Sequence, residues 1–223
     1  MTLPREEVIA GLNDELGRFE QLIRSLDDRA WQTPTRCDGW TVADVAAHVT
    51  GTLAEVVNFR LEGLATPQTI QRLVDERRGR TQHEVADELR PVAKLAADIG
   101  AGISDEMWAG DAGGDLGIPM GEGVEGLWYD AWVHGHDIRT AAGLPEERGP
   151  GLRASVFHVA ALLANQGWGP ATLALDGMEE VPVAGGGGRR ITGDPVDWVL
   201  VGTGRQDPAT IGLDETANVY RDA

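Results

Sequence analysis

The chain has 223 residues, 42% of them hydrophobic, which suits one compact core or a core with a small appendage and excludes wholesale disorder or a fibre. Nineteen Lys and Arg against 36 Asp and Glu leave a formal charge of −17, which repels phosphate backbones and anionic lipid headgroups and argues against nucleic acid or a membrane as partner. The single cysteine, Cys37, excludes an internal disulfide, no apolar run approaches the roughly 18 residues of a membrane span, and the acidic, amphipathic start MTLPREEVIAGLNDEL is unlike a signal peptide, so a soluble cytoplasmic protein is expected.

The first two thirds read at helical period. Pro4 suits the first turn of a helix whose apolar positions Val8, Ile9, Leu12, Leu16, Phe19, Leu22, Ile23 and Leu26 recur at three and four. After a loop holding Trp31, Cys37 and Trp40, Thr41 with Asp44 three residues later resembles a capping box and starts a second helix, carrying Val45, Val49, Leu53 and Val57, that Thr66-Pro67 is expected to close. A third helix of about 20 residues surrounds Val85, Leu89, Val92 and Ile99. After a glycine-rich loop from Gly110 to Gly117, a fourth runs from about Pro119 to Ala142. Four long amphipathic helices predict a bundle over residues 1–147.

From Gly143 the texture changes, and residues 148–223 read as a small α+β domain. A fifth helix of about 15 residues is followed by an alternating strand around Thr172–Asp176, a turn at Asp176-Gly177 and a short edge strand Val181-Pro-Val. Gly185 to Gly188 reads as a flexible tip. Asp194 is placed to cap a short helix that begins with Pro195, runs to Thr203 and stops at Gly204.

Several chemistries are absent. No G-x-S-x-G elbow and no G-x-x-x-x-G-K-[ST] loop occurs, and cysteine-rich zinc sites lack their ligands. Cys37 lies beside tryptophans with no base near it in sequence, so it reads as a small buried residue rather than a nucleophile.

The histidines are more informative. His48 sits among small and apolar residues of the second helix and points near its apolar stripe. Asp130 and His134 stand four apart in the fourth helix, on one face about one turn from each other, where both can grip one cation. With His48 facing them across the bundle, two nitrogens and one oxygen leave positions open for water or substrate, as in catalytic metal sites. Asp137 is placed to orient the other ring nitrogen of His134. The plainer alternative is a hydrogen-bonded core histidine at 48 and an ordinary intrahelical pair at 130 and 134. His136, about 200° around the helix from His134, reads as a rim residue or a substitute ligand, His83 as a surface residue at a helix start, and His158 as packed or solvent-facing.

Two stretches carry a resemblance: Thr33-Pro-Thr-Arg-Cys-Asp-Gly-Trp-Thr-Val-Ala-Asp-Val-Ala-Ala-His48, and Asp130-Ala-Trp-Val-His-Gly-His-Asp-Ile-Arg139 with Ala141-Ala-Gly143. Together they resemble the mycothiol-dependent maleylpyruvate isomerase family of the DinB-like superfamily. Ile191-Thr-Gly-Asp-Pro-Val-Asp-Trp-Val-Leu-Val-Gly-Thr-Gly-Arg205 is similar to that family's small second domain. The resemblance implies a mostly α protein, a DinB-like metal-binding four-helix bundle followed by a small α+β domain. It also implies a divalent metal, usually zinc, at His48, Asp130 and His134, with Asp130 where the isomerase has the longer glutamate, and a substrate-carboxylate role for Arg205. The implied activity is metal-dependent thiol chemistry: with mycothiol as cosubstrate, the protein isomerises a maleylpyruvate-like compound or transfers the thiol to a small-molecule electrophile. A ligand-binding or regulatory module on the same fold, and metal-assisted hydrolysis, are the alternatives.

Overall fold

The computed structural model describes residues 3–221. Among them, no helix is long and apolar enough to cross a membrane. The chain divides into two compact units, residues 4–147 and the residues from Arg148 onward together with Leu3.

In the first unit, α1 spans Arg5–Ser25, with Glu6 and Glu7 in the first turn, where negative charge complements the helix N-terminus. Its apolar face buries Val8, Leu12, Leu16, Phe19, Leu22 and Ile23. A single turn, α2 (Asp28–Trp31), capped by Asp27, buries Trp31. Helix α3 (Val42–Val57) opens with the expected capping box: Asp44 N–H donates to Thr41 Oγ1, and Thr41 N–H donates to Asp44 Oδ2.

The end of α3 departs from expectation. It stops at Asn58, and Phe59 takes a left-handed φ of 56°. Thr66-Pro67, expected to close this helix, instead starts α4 (Pro67–Asp75), with Thr66 Oγ1 accepting from Thr69 N–H and Pro67 in the first turn. Proline cannot continue a helix interior, yet its fixed φ and missing N–H suit a helix start equally well, so the dipeptide reads both ways.

Helix α5 (Gln82–Ala101) carries a second capping box, Thr81 with Glu84. After the short α6 (Asp105–Ala109), α7 (Met120–Ala142) ends at Gly143, whose φ of 66° is the left-handed conformation common after a helix C-terminus. Helix α1 packs on α5 and α7, and α3 packs on the same two, which closes a four-helix bundle. Its interior holds Phe19, Leu16, Ile23, Leu53, Leu89, Trp128 and Ile138, each under 2% exposed. Burying each of these contributes about 1.5–3 kcal/mol of transfer free energy before the entropy cost.

In the second unit, α8 (Pro150–Asn165) precedes β1 (Ala171–Leu175), β2 (Val181–Val183), β3 (Arg189–Gly193) and α9 (Pro195–Gly202). The sheet order is β2-β1-β3, antiparallel between β1 and β2 and parallel between β1 and β3, with Leu173 opposite Val181 and Ile191. Ala171, Leu173 and Leu175 alternate inward, as a half-buried strand requires. Exposed Pro182 sits on an edge strand, where the missing N–H breaks no ladder bond. Gly185–Gly188 is more tied down than a flexible tip: Gly186 N–H donates to Val183 O and Gly187 N–H to Thr172 Oγ1. Asp194 caps α9 by accepting from Val196 N–H at 2.8 Å.

Candidate metal centre

The bundle brings together three residues that the sequence spreads over 87 positions, from 48 to 134. His48 comes from the second turn of α3, and Asp130 and His134 from successive turns of the facing α7. His48 Nε2 and His134 Nε2 each lie 3.4 Å from the same atom, Asp130 Oδ1. The three donor atoms all fall within 4.8 Å of one another. The two imidazole rings meet edge to face, centroids 5.0 Å apart.

The outer side of each ring is held as well. His134 Nδ1 lies 3.1 Å from Asp137 Oδ2, a carboxylate whose side chain is fully buried. With Asp137 accepting from Nδ1–H, Nε2 is the ring atom left to face Asp130, and it would offer its lone pair to a cation held there. His48 Nδ1 lies 3.5 Å from Thr52 Oγ1, one turn further along α3. Trp40 leans on the His48 ring at a centroid distance of 5.3 Å and limits its rotation.

Electrostatics follow the geometry. Burial raises the cost of ionising Asp130, but the charges of His48 and His134 and their hydrogen bonds outweigh it and hold this carboxyl well below the usual carboxylate range. For His134, burial disfavours the cation, and the opposing pull of Asp130 and Asp137 raises its proton affinity well above that of a free imidazole. Two nitrogens and an ionised oxygen, converging with their outer atoms pinned, are a donor set suited to zinc or a similar divalent cation.

Two expectations from sequence need correction. His136 is not a rim residue: it is buried, stacked on Trp132 at 5.6 Å, with Nε2 3.5 Å from Glu146 Oε2. Burial, with the nearby Arg36 charge, lowers its proton affinity. Cys37 is half-buried and does have chemical neighbours: Sγ lies 3.3 Å from Asp137 Oδ2 and 3.9 Å from His134 Nδ1. Those neighbours are about 100 residues away along the chain, so no local motif could disclose them. His83 is exposed near the start of α5, as expected. Arg205 follows α9 in the second unit, its backbone N–H donating to Leu200 O at 2.7 Å, and lines an open depression with Gln206, Asn218 and Arg221.

The family model for the mycothiol maleylpyruvate isomerase N-terminal domain matches residues 12–139. The chain belongs to this family. His48, Asp130, His134 and Asp137 all fall inside the matched span, and Arg205 falls outside it. The fold agrees with two crystal structures. One is of a histidine-to-alanine mutant of the mycothiol-dependent maleylpyruvate isomerase, 16% identical with a TM-score of 0.67 over 96% of this chain and 98% of that one. The other, of the mycothiol-dependent maleylpyruvate isomerase, is 17% identical with a TM-score of 0.62 over 92% of each chain. Among curated proteins, none matches the chain. The mostly helical, DinB-like architecture is thus the fold of this isomerase family.

Proposed function

We propose that this protein is an enzyme that uses a low-molecular-weight thiol, mycothiol by family, to isomerise a maleylpyruvate-like compound or to conjugate a small electrophile. The single observation that carries the reading is the convergence of His48 Nε2 and His134 Nε2 on Asp130 Oδ1 within a family that is named for thiol-dependent isomerisation. His48, Asp130 and His134 would hold a divalent cation, zinc being the best match to two imidazoles and a carboxylate. When bound, the cation supplies positive charge that favours thiolate over thiol at neutral pH.

The chain's own residues prepare the site for that chemistry. Asp130, kept ionised, offers an anionic oxygen rather than a proton. Asp137 fixes the tautomer of His134, and Thr52 and Trp40 fix the plane of His48, so the donor atoms need little reorganisation. In the proposed reaction the thiolate adds to a carbon–carbon double bond conjugated to a carbonyl, and the π electrons move onto the carbonyl oxygen. The former double bond is then single and rotates. Collapse of the enolate expels the thiolate and restores the double bond in the other geometry; capture of a proton instead leaves the thiol attached. Arg205 is proposed to hold a substrate carboxylate through the fork of its guanidinium. Residues 1–147 and 148–223 are proposed as the metal-binding and accessory domains.

Product mass with and without added thiol tests the reading. Unchanged mass with altered double-bond geometry, formed only with thiol, is the isomerase result, and a thiol-bearing adduct is the transferase result. Thiol-independent turnover of esters or amides would assign hydrolysis instead, and ligand-dependent stabilisation without turnover would assign a binding module.

A further inference from the structure

The loop before α3 delivers two side chains to the carboxylate that orients His134. Cys37 Sγ–H donates to Asp137 Oδ2 at 3.3 Å, the same oxygen that lies 3.1 Å from His134 Nδ1. Arg36 Nε stands 3.5 Å from the other oxygen, Oδ1. Asp137 has no exposed side-chain surface, so protein groups must satisfy its charge.

The loop is built to hold that geometry. Thr35 N–H and Oγ1–H both donate to Trp40 O, at 2.8 and 2.9 Å, and Trp40 N–H donates back to Cys37 O at 2.9 Å. Cys37 N–H donates to Thr35 Oγ1 at 3.1 Å, and Pro34 bridges to Thr41, the cap of α3. Gly39 completes the turn at φ 76°, a conformation that a side chain would strain. The same loop supplies Trp40 against His48, so one rigid turn touches both histidines of the site.

We propose that Cys37 is a positioning residue: its thiol holds Asp137, and through Asp137 the ring of His134, in the orientation that aims Nε2 at Asp130. This inference rests on the cation site of the preceding section. Cys37, His134 and Asp137 also lie close enough together to form a donor group of their own. That role is the weaker one, because His134 would have to lose its Nδ1 proton to solvent to ligate there, and with Nε2 also on a cation beside Asp130 it would be a costly imidazolate. A thiol that only donates a hydrogen bond requires no such step.

The test uses the full chain, metal-free, titrated with Co(II). Cys37→Ala should weaken Co(II) binding by about tenfold, the lower end of the cost of losing partners of ligating groups, while Cys37→Ser, which keeps a donor, should restore most of it. The Co(II) spectrum of the parent protein should lack a thiolate-to-metal charge-transfer band in the near ultraviolet. Equal affinities for parent and Cys37→Ala, or a charge-transfer band lost in both variants, would overturn the proposal. A readout without metal separates the two readings: the Nδ1–H proton of His134, followed by NMR, should exchange with water faster in Cys37→Ala than in the parent or Cys37→Ser. Failure of the parent to bind Co(II) would count against the cation site alone, and the exchange comparison would still decide Cys37, with equal rates rejecting it.

Discussion

Asp137 Oδ2 stands 3.1 Å from His134 Nδ1, one turn further along α7, and this contact leaves the other ring nitrogen free to face Asp130. Asp137→Asn should keep the bundle folded but lower cation affinity by about 10- to 100-fold, as is typical for the hydrogen-bond partner of a ligating histidine. Competition with a chromophoric chelator measures it. Affinity equal to the parent would remove Asp137 from the site.

The proposed ligands themselves should behave more sharply. His48→Ala or His134→Ala should abolish stoichiometric divalent metal in protein purified without a metal-binding tag, with helical circular dichroism preserved. Asp130→Glu should retain metal, since the carboxylate is only one methylene longer, whereas Asp130→Ala should weaken it. Full metal content in both histidine variants would reject the site. Chelation of the parent should also lower thermal stability, because a cation at 100 times its Kd contributes about 2.7 kcal/mol by mass action.

Arg205→Lys tests the carboxylate role. A lysine keeps the charge but loses the planar pair of donors, so KM for a carboxylated substrate should rise or kcat fall, with metal content unchanged. A variant indistinguishable from the parent on carboxylated and uncarboxylated substrates alike would return Arg205 to a purely structural role after α9.

Glu15 provides a pH-dependent signature of the bundle. It is 5% exposed, and burial raises its pKa above the ordinary glutamate range despite the hydrogen bond from Arg18. A carboxyl raised in the folded state stabilises the fold below its unfolded pKa, and that contribution is lost as pH rises through the folded pKa. Glu15→Gln lacks the titration, so its stability relative to the parent should improve as pH rises from about 4 to 7. Urea unfolding across that range checks the sign; a relative stability that falls with pH would refute it.

Gly11 tests how closely α1 and α7 approach. A Cβ added there would lie 2.1 Å from two ring atoms of Trp128, which is fully buried. Gly11→Ala should therefore destabilise by about 1–3 kcal/mol through overpacking, despite the better helix propensity of alanine. Any gain in unfolding free energy would show that the helices have room to separate.

Much of this protein was legible in the sequence because the relevant signals are local. Apolar spacing of three and four marks α1, α3, α5 and α7, since a helix can bury only one stripe. Thr41 with Asp44 marks the start of α3 because a capping box needs only four consecutive residues, and Asp194-Pro195 marks α9 for a similar reason. Asp130 and His134 could be paired from sequence because four residues make one helical turn. Thr66-Pro67 misled because a proline signal marks a boundary without its direction.

The contacts across elements belong to the tertiary structure. No spacing shows that His48 aims Nε2 at the same oxygen as His134, since that depends on the rotation of α3 against α7, which is set by how their apolar faces pack. Cys37 looked inert beside its neighbours in sequence, yet the turn from Thr35 to Trp40 folds it onto Asp137, 100 residues away. Helical angle alone puts His136 on a rim, but Trp132 and Glu146 close over it. Hydrophobic period and caps are properties of one segment and are determined by its residues alone; a metal site is a convergence of several segments, and only packing of the bundle decides which atoms meet.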